Sequence, residues 1–265
     1  MWAMLGLWLE PVYQQLHEEV NQAEVLHADE TSWRVNGQTY WLWGFGTQKL
    51  VFYTIRPSRG AVVVAEVLGK KFDGVLCCDF FGAYNAIDAS AKQRCVVHLR
   101  RELKKVSQSN QSDEWKRFRK RLKQILTQAE NWRAKRDELS EYEYEEGAKR
   151  LFIRLVEFVL LRWQDKDAER IRKRLSKYLM EILMFLFTDA PPDNNLAERE
   201  IRPAVIMRKN SYGNMSPNGA NTQAILMSIF RTLHKRQKDP IEWVTTYLQQ
   251  RLQNKDHPKS KQKVA

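Results

Sequence analysis

The 265-residue chain has little from which to build covalent or membrane-bound architecture. It has only three cysteines, Cys77, Cys78 and Cys95, and all lie in apolar surroundings, which excludes a disulfide framework. The longest apolar run, 182–187, is far shorter than the roughly 20 residues a membrane helix needs, so no membrane partner is expected. Residues 1–9 are apolar but too few for a secretory signal, and no basic lead precedes them. Glycine and proline are sparse, and between 99 and 188 there is one glycine, Gly147, and no proline. No internal repeat, helix-turn-helix pattern or cysteine-rich zinc module is visible. These absences point to a soluble, intracellular protein.

What is abundant is positive charge. Lys and Arg number 44 against 32 Asp and Glu, giving a net charge of +12. Such a balance says nothing about fold but points to a nucleic acid or an anionic surface as partner.

Periodicity divides the chain into five segments. Residues 1–23 carry apolar side chains at three- and four-residue spacing, a helix pattern. Over 24–98 the pattern changes to strands. Run 25–29 reads as a first strand, and 31–35 and 39–45 as a hairpin around Asn36-Gly37, a pair suited to positive φ at both turn positions. Further strands are expected at 50–55, 75–79 and 94–97, with a helix at 59–68. Segment 99–190 reads as several helices, with apolar stripes at Leu151, Leu155 and Phe158 and at Leu175, Leu179 and Ile182. Segment 191–253 holds a short charged helix, which Pro203 is expected to end, then a loop at 211–221 and two closing helices. Residues 254–265 form a basic tail, expected to be disordered.

Three acids stand out. Asp29 and Asp79 each follow an apolar strand-like run, and Glu198 sits in the charged helix that follows Asp193 and Asn194, both good N-caps. Separated carboxylates of this kind are the makings of a two-metal phosphoryl-transfer site. As alternatives, Asp29 and Asp79 cap strands into turns and Glu198 pairs with Arg202 one turn on. Glu200 lies about 200° around a helix from Glu198, so the two cannot face one site. Glu30 points to the opposite strand face from Asp29 and reads as a hydrogen-bonded side chain.

In order, the chain contains His27-Ala28-Asp29-Glu30-Thr31, Cys78-Asp79-Phe80-Phe81-Gly82-Ala83-Tyr84-Asn85, Cys95-Val96-Val97-His98-Leu99-Arg100-Arg101 and Asn194-Asn195-Leu196-Ala197-Glu198-Arg199. With Arg202-Pro203 and Arg208-Lys209-Asn210, these resemble the DDE transposases of the insertion sequence 66 family over roughly residues 20–250.

The resemblance implies an α/β fold: a ribonuclease H-like mixed sheet with an all-helical insertion between the second and third acids. It implies Asp29, Asp79 and Glu198 as catalytic residues converging on Mg²⁺, with Mn²⁺ a possible substitute. It implies DNA as partner, at element ends and target, a homo-oligomer on paired ends, and a bacterial, cytoplasmic, nucleoid-associated setting. Residues 1–23 would be the tail of an end-binding part, and the chain is expected to lack the rest of that part.

Arg59, Arg101, Arg199, Arg202, Arg208 and Lys209 are expected DNA contacts, their guanidinium or ammonium groups holding phosphates, and the resemblance adds His98 near the scissile phosphate. For Arg59, Arg100, Arg101, Lys104 and Lys105 a solvated basic face is an equal alternative. Cys95 and His98 stay open among packing, an active-site helper role for the histidine, and half a zinc site. Trp41, Trp43, Phe45, Phe52 and Tyr53 read as core. The functions in play are strand transfer at insertion-sequence ends, an inactive DNA-binding remnant, and a ribonuclease H-like nuclease or resolvase that cuts without joining.

Overall fold

A computed structural model describes residues 2–254. The chain is mixed α/β. Helix α1 (Trp2–Asn21) leads into strands β1 (Val25–Val35), β2 (Gln38–Gly46) and β3 (Val51–Arg56). Helix α2 (Ala61–Leu68), β4 (Lys71–Cys78) and β5 (Asp88–Arg94) follow. Then come α3 (Val96–Ser109), α4 (Asp113–Arg133), α5 (Glu141–Leu160), α6 (Lys166–Lys177) and α7 (Leu179–Ile182). The chain closes with α8 (Asn195–Ser211), α9 (Pro217–Lys235) and α10 (Pro240–Gln253). The five strands form one sheet in the order β3-β2-β1-β4-β5. The molecule comprises two compact units, one of residues up to Gly74, Gly82–Asp88 and Asn195 onward, the other of Val75–Phe81 and Ala89–Asn194.

In the first unit, β1, β2 and β3 form an antiparallel meander. The β1–β2 turn has φ of 48° at Asn36 and 73° at Gly37, the doubly positive conformation that Asn-Gly tolerates. Side chains alternate across the meander. On one face Trp33, Leu42, Val51, Tyr53 and Ile55 pack with Ile201 and Ala204 of α8 and Ala220, Ala224 and Met227 of α9. On the other, Phe52 stacks on Tyr13 of α1 with ring centroids 4.5 Å apart, and Trp43 meets the Tyr84 ring edge-on. Trp43, Phe45, Phe52 and Tyr53 are buried, as expected of core aromatics.

Strand β3 lies at the edge of the sheet, where unpaired backbone groups would invite another strand. Hydroxyls cover them. Ser228 Oγ accepts the Tyr53 N–H at 2.8 Å, and Thr232 Oγ1 accepts the Val51 N–H at 3.0 Å. The Tyr53 carbonyl accepts the Tyr13 hydroxyl at 2.7 Å. Ser228 and Thr232 are one turn apart on α9, so one helix face supplies both caps.

The second unit has its own core. Leu99, Leu103, Trp115, Phe118, Leu122, Leu126, Leu155, Phe158, Ile171 and Leu175 are buried together. Its helices start on caps that the sequence signals: Ser112 for α4, a Ser140–Glu143 capping box for α5, and Asp165 for α6.

Four sequence expectations are corrected. The 25–29 and 31–35 runs are one strand, because β1 pairs with β2 along His27–Val35 without a break. The strand expected at 94–97 is the start of α3, and the preceding strand is β5. Val96 and Val97 are helical there despite their β-propensity, with the Val96 N–H held by the Pro192 carbonyl at 2.8 Å. Pro203 does not end its helix, and α9 begins at Pro217, inside the expected loop. The basic tail lies outside the described residues.

Thr232→Val keeps the shape of the side chain but removes the acceptor for the buried Val51 N–H. It should cost about 1–3 kcal/mol, the penalty of an unsatisfied buried donor. Urea unfolding should show a lower midpoint at unchanged slope.

Candidate active site

Asp29 lies mid-strand in β1, directly opposite Gly44, which in turn lies opposite Tyr53. Cross-strand partners share a face, so the three form one row. A Cβ built on Gly44 would come within 3.1 Å of Ile201 Cδ1 and 3.3 Å of the Tyr53 ring. The Asp29 row is therefore the row against which α8 lies. Next along β2, a Cβ on Gly46 would stand 3.5 Å from Leu196 Cδ2. Of the two glycines it is Gly44 that makes room for α8, since the Gly46 contact is an ordinary one. Glu198, in the first turn of α8, precedes Ile201 by three residues and so shares its sheet-directed side. Asp29 and Glu198 are both half-buried, and the positive end of the α8 dipole favours an acid in that first turn.

Glu200 is excluded from this group by its partners. Its buried carboxylate accepts Arg231 Nε at 2.6 Å and Lys235 Nζ at 2.7 Å. Burial pushes its pKa up, but the hydrogen bonds from Arg231 and Lys235 outweigh that and leave it lowered. Its carbonyl accepts the Tyr53 hydroxyl at 2.6 Å, so this residue ties α8 to both α9 and β3. Further along, Arg208 donates to the Ser32 carbonyl and, at 2.6 Å, to Ser32 Oγ. Such anchors on both sides of Pro203 hold α8 continuous where the missing N–H and the ring would otherwise break it.

Glu30 faces away, as the strand alternation requires. It accepts the Tyr84 hydroxyl at 2.7 Å and pairs with Arg59 at 2.9 Å.

Asp79 belongs to the second unit, immediately after β4. Its Oδ1 accepts the Phe81 N–H at 2.8 Å, and its carbonyl accepts Arg94 Nη1 at 2.7 Å. Arg94 is fully buried, pairs with Glu181 and lies 4.4 Å over the Tyr178 ring. It thus positions the Asp79 backbone. Arg94 carries no signal in the sequence beyond its adjacency to Cys95, because burial of an arginine is a tertiary property.

Among the described residues, no group of three or more His, Cys, Asp or Glu side chains is gathered closely enough to hold a metal ion. Asp29 and Glu198 in one unit and Asp79 in the other are each carboxylates, the ligand type that a hard divalent cation takes.

Residues 1–222 match the family described as "Transposase IS66 family". The chain belongs to the IS66 family of transposases. It is also 30% identical over 286 residues to "Uncharacterized protein y4qI" of Sinorhizobium fredii (strain NBRC 101917 / NGR234). That match covers 92% of this chain but 51% of the relative, so the chain spans about half of the relative's length. No solved structure matches it.

In this IS66-family chain the basic residues differ in their commitments. Arg59 stands 4.4 Å over the Trp41 ring besides pairing with Glu30. Arg208 is bound to β1, and Arg100 pairs with Glu130 at 2.7 Å. Arg199, Arg202 and Lys209 stand exposed on α8, at spacings that place them along one stripe. Arg101, Lys104 and Lys105 are exposed on α3. Cys95 caps α3 and is buried, with its Sγ accepting the Asn194 N–H at 3.2 Å, which matches the packing role. Burial pushes the Cys78 thiol up to about 12, and Cys77 also moves upward, so both pack as neutral side chains. His98 lies in the first turn of α3, half-buried. Among the described residues, no helix is long and apolar enough to cross a membrane.

Glu200→Gln would leave Arg231 and Lys235 without their anion and should destabilise the protein by about 2 kcal/mol, below the full buried-pair cost because Arg231 is partly exposed. A carboxylate with a lowered folded pKa contributes stability above its ordinary value of 4.5 and loses it as pH falls through the folded value. The gap between wild type and variant should therefore be constant near neutrality and narrow below pH 4.5. Chemical denaturation across pH measures it.

Proposed function

We propose that this chain is the catalytic part of a cut-and-paste-type DNA transposase with a ribonuclease H-like core. On this reading it works in the bacterial cytoplasm, on element ends and target DNA. The observation that supports it is an IS66-family chain in which α8 lies over the strand row of Asp29 and carries Glu198 in its first turn. The carboxylates of Asp29, Asp79 and Glu198 would hold Mg²⁺, with Mn²⁺ able to substitute. Bound, the metal would supply Lewis-acid activation of the attacking oxygen and stabilisation of the leaving 3′-oxygen.

The rest falls to the chain's own residues. Gly44 leaves room for Ile201 of α8, and Glu198, one turn before it, would be held at the sheet rather than on a loose segment. Arg94 fixes the Asp79 backbone. The exposed Arg199, Arg202 and Lys209 would hold phosphates and position the strand without reading its sequence. Arg59 and Arg208 already serve Glu30 and β1, so phosphate contact by either would be shared with those partners. His98 would assist near the scissile phosphate. Two copies on paired ends would bring both ends to one target.

Asp29→Asn, Asp79→Asn and Glu198→Gln should each lower Mg²⁺-dependent strand transfer by about a hundredfold or more, the several kcal/mol of charge stabilisation a metal supplies. Circular dichroism should be unchanged, and Glu30→Gln should remain active. Full activity in the three variants would rule out the assignment. Salt-sensitive DNA binding without nicking would instead favour an inactive binding remnant, and cutting without joining a nuclease or resolvase.

A further inference from the structure

Between Glu200 and Asp239 the chain carries not a single carboxylate. Residues 201–238 hold seven Lys and Arg and no Asp or Glu, and they span most of α8, the following loop and all of α9. Some of these cations serve the fold: Arg231 and Lys235 on Glu200, Arg208 on Ser32, Arg236 on Glu19. Arg202 and Lys209 point to solvent.

In the middle of this stretch the α8–α9 loop presents Tyr212 and Met215, each 86% exposed. These are the highest exposures among the described large apolar side chains. The loop is firmly attached. Asn214 donates its N–H to the Arg34 carbonyl at 2.9 Å, accepts the Asn36 N–H at 2.7 Å, and accepts Trp33 Nε1 at 2.8 Å through its side chain. Gly213 sits so close that a Cβ would fall 2.2 Å from the Arg34 carbonyl oxygen. Tyr212 itself is held at φ 59°. The fold therefore fixes two large apolar side chains in water at a cost in burial, which is the arrangement of a preformed contact surface. Beside them a cleft of about 630 Å³ is lined by Met207, Asn214, Asn218, Gln223, Leu226 and Phe230, apolar walls interrupted by amides.

We propose that Tyr212 and Met215 form a wedge that stacks on unpaired or unstacked DNA bases, with Arg202 and Lys209 on the adjoining phosphates. This deepens the DNA reading above and rests on it. Charge decides the partner: a segment without a carboxylate complements a polyanion, and bases offer flat apolar faces against which an exposed tyrosine and methionine can pack. The amides in the cleft match the donors and acceptors of base edges.

The test uses fluorescence anisotropy with single-stranded, forked and blunt duplex oligonucleotides, the fork carrying 2-aminopurine at its junction. Wild type should prefer single-stranded and forked DNA and raise the 2-aminopurine signal as the base unstacks. Tyr212→Asn, a residue that tolerates the left-handed backbone, should weaken binding to those two about tenfold with unchanged salt dependence. Tyr212→Trp should restore it. Lys209→Ala should weaken binding to all three and reduce the salt slope by about one. Wild-type affinity and 2-aminopurine signal in a Tyr212→Asn/Met215→Ser variant would overturn the wedge and leave the DNA reading intact. Failure of the wild type to bind any DNA would sink both. A variant that binds DNA normally but loses self-association in sedimentation would assign the loop to contact between copies, against the proposal.

Discussion

The missing side chain at Gly44 is the constraint from which the first unit is built. A Cβ there would stand 3.1 Å from Ile201 Cδ1 and 3.3 Å from the Tyr53 ring, so any side chain on β2 at that point would press α8 and Tyr53 back by a few tenths of an ångström. The same row carries Asp29, and the same turn of α8 carries Glu198. Close approach of the helix and the placing of Glu198 and Asp29 on the facing sides of helix and sheet thus have one geometric origin. Tyr53 completes it by reaching across the glycine to the Glu200 carbonyl, locking the helix in rotation as well as in distance.

Charge in this molecule has two separate uses. Several buried or half-buried ions are matched: Glu200 by Arg231 and Lys235, Glu30 by Arg59, Arg94 by Glu181. Each is satisfied by several hydrogen bonds, which is what makes a desolvated charge tolerable. The surplus of cations is left at the surface of α8 and α3, where water screens it at little cost and a polyanion can recruit it. Stability and recognition therefore draw on different members of the same residue class.

Much of this was legible in the residues. Asn-Gly located the hairpin because few other pairs accept two positive φ values. The apolar stripes at Leu151 and Leu175 located helices because their spacing matches a helical turn. The alternation of β1 separated Glu30 from Asp29, and the helical angle separated Glu200 from Glu198. Less legible were breaks and joins. Asp29 looked like a strand end because polar residues follow it, yet β1 continues since its partner β2 continues. Pro203 looked like a stop, yet α8 persists because its flanks are tied to α9 and β1. Val96 and Val97 looked like a strand, yet a carbonyl from Pro192 draws them into a helix.

Sequence by itself determined the local and compositional features: the helical stretches, the hairpin turn, the basic balance, and the ordered motifs that mark an IS66-family chain. These depend on neighbours in the chain, whose spacing is written in the residues. Tertiary structure alone decided which polar side chains became partners: that Arg94 is buried beneath Asp79, that hydroxyls of α9 cover the edge of β3, and that Tyr212 and Met215 remain in water. Burial is set by what packs on a residue from distant parts of the chain, and no local pattern encodes that.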